Sequence, residues 1–111
     1  MSMNVWVKCG KTYNLLDSKT ATGVGTQIYK DAPQASFQVS GTTTAGSGSA
    51  VVAIQVSNDG TNWITAGTVT LTLGTSATSD GFTTDAPWKY VRANVTTLTG
   101  TGASVSVVMG V

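Results

Sequence analysis

The sequence predicts an all-β fold: an antiparallel two-sheet sandwich, jelly-roll-like, built from seven or eight short strands. Three observations carry that expectation. Apolar residues alternate with neighbours of the opposite face in five separate runs, the mark of strands buried on one side. No window of a dozen residues spaces apolar side chains at the helical period, and the abundant Thr, Val and Gly are poor helix formers. Stretches rich in Gly, Asn, Asp and Thr separate the runs at strand-length intervals.

Residues 1–30 stand apart from the rest. Val5, Trp6 and Val7 are apolar without clean alternation, and residues 17–25 are polar and rich in Gly and Thr. Tyr13, Leu15, Leu16, Ile28 and Tyr29 are the residues there that suit a sheet. This N-terminal segment reads as the first strands of the sandwich, as an arm that orders on a partner, or as both. Lys8, Lys11, Lys19 and Lys30 outnumber Asp17 within it.

Residues 31–111 form the sandwich body. Ala35, Phe37 and Val39 make a short apolar row. Ala50, Val52, Ile54 and Val56 make a longer one, with Val51, Ala53 and Gln55 on the reverse face. Val69, Leu71 and Leu73 alternate with threonines. Val91, Ala93 and Val95 face away from Trp88, Tyr90, Arg92 and Asn94, and Ala103, Val105, Val107, Met109 and Val111 give the last row. Residues 41–48, 74–81 and 96–102 read as loops. Asn58-Asp59-Gly60 reads as a corner in which Gly60 adopts positive φ at little cost. Pro87 forces an extended approach to Trp88.

Charged residues make up only 10% of the 111, against roughly 25% in ordinary soluble domains. There is no Glu and no His, while Ser and Thr exceed a quarter of the chain. Neutral hydroxyls have replaced charges at the surface, which suits life in an assembly as well as a plain β-sandwich. A net charge of +1 provides no field for nucleic acid or anionic lipid. The start lacks the basic-then-apolar pattern of a secretory leader, and no apolar run reaches membrane-spanning length. The expectation is a protein made in a cytoplasm, with neither nucleic acid nor membrane as partner. The lone Cys9 has no bridging partner in the chain.

Catalytic chemistry finds no constellation to work with, so the chain is expected not to be an enzyme. General acid–base catalysis draws on His or on paired, perturbed carboxylates. Asp17, Asp31, Asp59, Asp80 and Asp85 are scattered, and in loops such residues ordinarily build Asx turns. A Ser or Cys nucleophile lacks a His base, and zinc lacks a ligand set. Residues 58–62 lack the spaced acidic ladder and terminal Glu of a calcium loop. No metal or other cofactor is expected.

Binding residues are easier to nominate. Trp, Tyr and Arg dominate protein contacts, so the candidate interface comprises Val5, Trp6, Lys8, Lys11 and Tyr13 in the N-terminal segment, with Tyr90 and Arg92 on the later strand. Internal packing of Trp88 and Tyr90 is equally open at this point, as is stacking on a sugar ring. The last run ends without a charged residue to protect an edge, which predicts self-association.

Ser57-Asn58-Asp59-Gly60-Thr61-Asn62-Trp63 followed by Tyr90-Val91-Arg92 resembles a signature of jelly-roll sandwiches, S-x-D-G-x-x-W in a hairpin and then Y-V-R. It is found in discoidin-like and galactose-binding-like domains and in tailed-phage structural proteins. There the Trp buries its indole at the hairpin end. From residue 57 onward, with its Ser/Thr/Gly-rich body, the chain resembles the capsid decoration proteins, called cement or staple proteins, of short-tailed phages. The resemblance covers about the C-terminal half and is vague over residues 1–30. It implies a body bound to the outer capsid surface of the virion, with the major capsid protein as partner. It also implies a homodimer or other homo-oligomer, made in the host bacterial cytoplasm, that bridges neighbouring capsid subunits. The alternative is a carbohydrate- or receptor-binding β-sandwich module of a phage fibre, with Trp63, Trp88 and Tyr90 as its platform.

Overall fold

The computed structural model describes residues 12–29, 34–84 and 88–111, and all regular structure among them is β. The strands are β1 (Thr12–Lys19), β2 (Gly23–Val24), β3 (Ile28–Tyr29), β4 (Ala35–Thr42), β5 (Ala45–Ser57), β6 (Ile64–Leu73), β7 (Thr78–Thr84), β8 (Tyr90–Thr101) and β9 (Ser104–Gly110). One sheet runs β1-β9-β4-β7. The other runs β2-β8-β5-β6, with β3 also on β8.

The pairing nests from the outside in. β1 pairs with β9, β2 and β3 with β8, β4 with β7, and β5 with β6, all antiparallel. A long hairpin rolled up this way is a jelly roll. β2 and β3 occupy one strand position, since Gly23 faces Val95 and Ile28 faces Val91 along the same side of β8. Between them the Gly25 N–H donates to the Ala93 carbonyl at 2.8 Å. The nine segments therefore fill eight strand positions.

The core is the set of rows read from the alternation. Val39, Ala50, Val52, Ile54, Val56, Val91, Val95, Val105, Val107 and Met109 are all essentially inaccessible. Each buried Val or Leu stabilises the fold by roughly 1.5–3 kcal/mol relative to leaving it exposed. Leu15 and Leu16 join this core from β1, so residues 12–29 supply three strand segments of the sandwich itself. Residues 1–11 lie outside the described residues, as do Lys30, Asp31 and residues 85–87.

The structure corrects three expectations. Residues 41–48 and 96–102 are mostly strand, and so is the second half of 74–81: β4 ends at Thr42, β5 begins at Ala45, β7 begins at Thr78, and β8 runs to Thr101. β7 has no apolar row because it is an edge strand, with Phe82 as its one large apolar residue, so its sequence resembles a loop. Asp80 accordingly sits on a strand, opposite Val39. Finally, β9 is not an edge: β1 covers one side and β4 the other. Alternation reports how deeply a strand is buried, whereas its neighbours are set by pairings far apart in sequence.

Both flanks of the sandwich are stitched. At one flank, Thr26 N–H donates to Leu15 O at 3.0 Å, joining the β2–β3 segment to β1 across the sheets. At the other, Thr78 Oγ1 donates to Thr72 O at 3.0 Å, joining β7 to β6. Phe82 of β7 leans over Gly67 of β6, and a Cβ there would lie 2.6 Å from the ring. Asp80, on the same side of β7 as Phe82 and exposed, is an inward-pointing charge of the kind that blocks edge-to-edge pairing. The irregular register of β1 between Asn14 and Lys19 breaks up the opposite edge.

Candidate functional site

Among the described residues, the outer face of the β8–β5–β6 sheet gathers aromatic and cationic side chains. Strand alternation turns Tyr90 and Arg92 outward because Val91 and Ala93 point into the core. Register then sets their neighbours. Tyr29 pairs with Tyr90, and Arg92 lies opposite Gln55. The Arg92 Nε–H donates to Gln55 Oε1 at 2.8 Å. Its guanidinium carbon sits 4.2 Å from the Trp63 ring centroid, a cation–π stack. The Tyr29 and Tyr90 rings meet edge-to-face at 5.4 Å.

The β5–β6 corner places Trp63 on this face. Ser57 is only 1% exposed, and its hydroxyl donates to Asp59 Oδ1 at 2.8 Å. Ser57 Oγ in turn accepts from the N–H groups of Asp59 and Gly60 at 3.2 and 3.0 Å. Asp59 Oδ1 accepts from the N–H groups of Thr61 and Asn62, and Oδ2 from Asn62 Nδ2. Backbone donation from Asn62 and Thr61, helped by the Asn62 and Ser57 side chains, holds the Asp59 carboxyl far below the usual carboxylate range. Gly60 takes φ of 73°, as the corner chemistry predicts. The corner is pinned to the segment just before β8, where Lys89 N–H donates to Asn58 Oδ1 at 3.3 Å.

Trp63 does not take the buried place that its motif implies, whereas for Trp88 the internal-packing reading holds. Trp63 is half-buried under Arg92 on the outer face and does not join the core cluster. Trp88 precedes β8 and packs against the core instead. The tight corner turns residue 63 back over the sheet rather than over the end of the sandwich. Of the nominated interface residues, Tyr90 and Arg92 come together here. Tyr13 lies on the other sheet, opposite Met109, and is exposed. Val5, Trp6, Lys8 and Lys11 lie outside the described residues. Tyr29 and Gln55 join the cluster through strand register, which no local pattern displays, and Trp63 joins it through the corner.

Exposed apolar side chains gather at the same face. Tyr29 is 58% exposed and Val24, opposite Asn94, is 46% exposed; Ile64, although exposed, pairs with the core-facing Val56 and so does not belong to this face. The outer face of the other sheet is different. It presents Ser36, Gln38, Ser40, Ser104 and Ser106 around Val108, a neutral and mostly hydroxyl and amide surface. A groove of about 470 Å³ between β1 and β2 is lined by Asp17, Lys19, Val24 and Thr26 among others. Among the described residues no group of three or more His, Cys, Asp or Glu is placed to hold a metal ion.

The fold is shared with a solved structure, the SPBc2 prophage-derived protein YomS, at a TM-score of 0.66 and 13% identity. That likeness covers 98% of this chain and 97% of the other. No protein-family model and no curated protein matches the chain.

Proposed function

We propose that this chain is a structural protein of a phage particle, decorating the capsid and stabilising it by bridging neighbouring major capsid protein subunits. The observation that carries this reading is the Trp63–Arg92–Gln55 and Tyr29–Tyr90 cluster on one outer sheet face. Its composition is that of a protein-contact hot spot. The bonds across both flanks, together with the irregular β1 and the edge charge Asp80, disfavour strand addition and support that face as the surface for association. The prophage origin of a protein with the same fold over its whole length supports the phage setting. So does the resemblance of residues 57–111 to capsid decoration proteins, the staple protein of the epsilon-type Salmonella phage in particular.

The mechanism is linkage. A protein that binds the assembled shell and not free subunits stabilises the shell by mass action. Contact with two subunits makes the second an intramolecular event at high effective concentration. Val5, Trp6, Lys8 and Lys11 serve in this reading as a second anchor reaching an adjacent subunit, and a dimer doubles the anchors. The reading assigns the protein no reaction and no cofactor.

The test is to purify particles from a lysate and compare them with particles from a phage lacking the gene. Decoration requires many copies per wild-type particle and loss of heat resistance in the deletion. The second reading, a carbohydrate- or receptor-binding module of a fibre, draws on the exposed Tyr29 ring. It requires a few copies at the tail, unchanged capsid stability and binding to a host glycan.

A further inference from the structure

We infer that Arg92 is a preset receptor for a carboxylate, so that the outer face of the β8–β5–β6 sheet takes a protein partner presenting an Asp or Glu at the centre of its contact. This rests on the protein-contact reading above and names the chemistry of its partner. The guanidinium is held before any partner arrives, by Gln55 Oε1 on Nε at 2.8 Å and by the Trp63 ring at 4.2 Å. Those contacts use one of its five N–H donors. Among the described residues neither terminal nitrogen has a hydrogen-bond partner, and no carboxylate pairs with it. A planar fork fixed in place with free donors is the geometry that accepts a carboxylate bidentately.

Charge on this face decides between occupants. Arg92 stands at its centre and Lys89 at its rim, beside Asn58. Among the described residues the carboxylate nearby is Asp59, ionised and with both oxygens committed to the corner. Arg92 and Lys89 outweigh it, so the described part of the face keeps a cationic excess, and a second copy laid on it would set like charges together. An acidic partner complements it. The exposed Tyr29 and Val24 add apolar surface to the same face.

The experiment measures binding of the full chain to undecorated shells of its own phage, for wild type, Arg92→Gln and Arg92→Lys, with thermal unfolding as the control for folding. A parallel arm uses shells whose surface carboxyls have been capped by carbodiimide coupling to glycinamide, checked intact by electron microscopy. Arg92→Gln is expected to weaken binding by about 30-fold or more. Arg92→Lys recovers little, because an ammonium neither forks onto a carboxylate nor stacks as a plane on Trp63. Capped shells lose wild-type binding to a similar degree. If the wild type binds shells but Arg92→Gln stays within about twofold, or capped shells bind as well as untreated ones, the carboxylate inference is overturned while decoration stands. The capping arm needs no variant, so it decides even if Arg92→Gln does not fold. Wild-type protein that binds no shell overturns both readings.

Discussion

Arg92 sits over the Trp63 ring, its guanidinium carbon 4.2 Å from the ring centroid, on the face of β8 that points away from the core. This one contact redirects the role of a residue that its hairpin motif marks for burial. It also yields the first prediction. Trp63→Ala removes a surface stack rather than a core ring, so stability falls by about 1 kcal/mol, against the ~3–5 kcal/mol typical of a core aromatic. Urea denaturation checks this, and a loss in the core range would place Trp63 in the interior.

The β6–β7 flank gives a second prediction. The missing Cβ of Gly67 makes room for the Phe82 ring, which also lies 5.2 Å from the Phe37 ring. Gly67→Ala overpacks this corner and costs about 1–3 kcal/mol. Adding Phe82→Leu relieves part of the crowding, so the double variant loses less than the two single losses summed. Strict additivity would show that the two residues are not coupled.

Acid sensitivity follows from Asp59. Its folded-state pKa is depressed, so its stabilising contribution is fully present above the unfolded value of about 4. That contribution is lost as pH falls toward the depressed folded value. Melting temperature should therefore decline on acidification below about pH 4, more steeply in wild type than in Asp59→Asn. Parallel declines in the two proteins would show that Asp59 is not the responsible group.

Hydrogen exchange tests the strand order. As an interior strand between β1 and β4, β9 should carry amides at Val105, Val107 and Val108 that exchange only by global unfolding. Edge strand β7 should show fast exchange at amides turned away from β4. Uniformly fast exchange along β9 would contradict the jelly-roll order.

Much of the fold is legible in the sequence because burial on one face writes a two-residue period. The rows from Ala35, Ala50, Val69, Val91 and Ala103 all enter the core as read. β7 escapes notice because an edge strand of Thr, Ser, Asp and Gly buries too little to show a period. The interior place of β9 is invisible because pairing with Leu16 and Val39 joins residues some seventy to ninety apart in the chain. The candidate site divides the same way. Tyr90 and Arg92 are readable from alternation, whereas Gln55 and Tyr29 reach them only through register. Trp63 reaches them through the corner built by Ser57 and Asp59.

The most direct measurement of the central claim is a cryo-electron microscopy comparison of shells from wild-type phage and from a phage lacking this gene. Decoration predicts extra density outside the shell in the wild type, fitted by this jelly roll, straddling neighbouring subunits with the Trp63–Arg92 face against them. Identical shells in the two maps, or density for this fold only at a tail fibre, would contradict it.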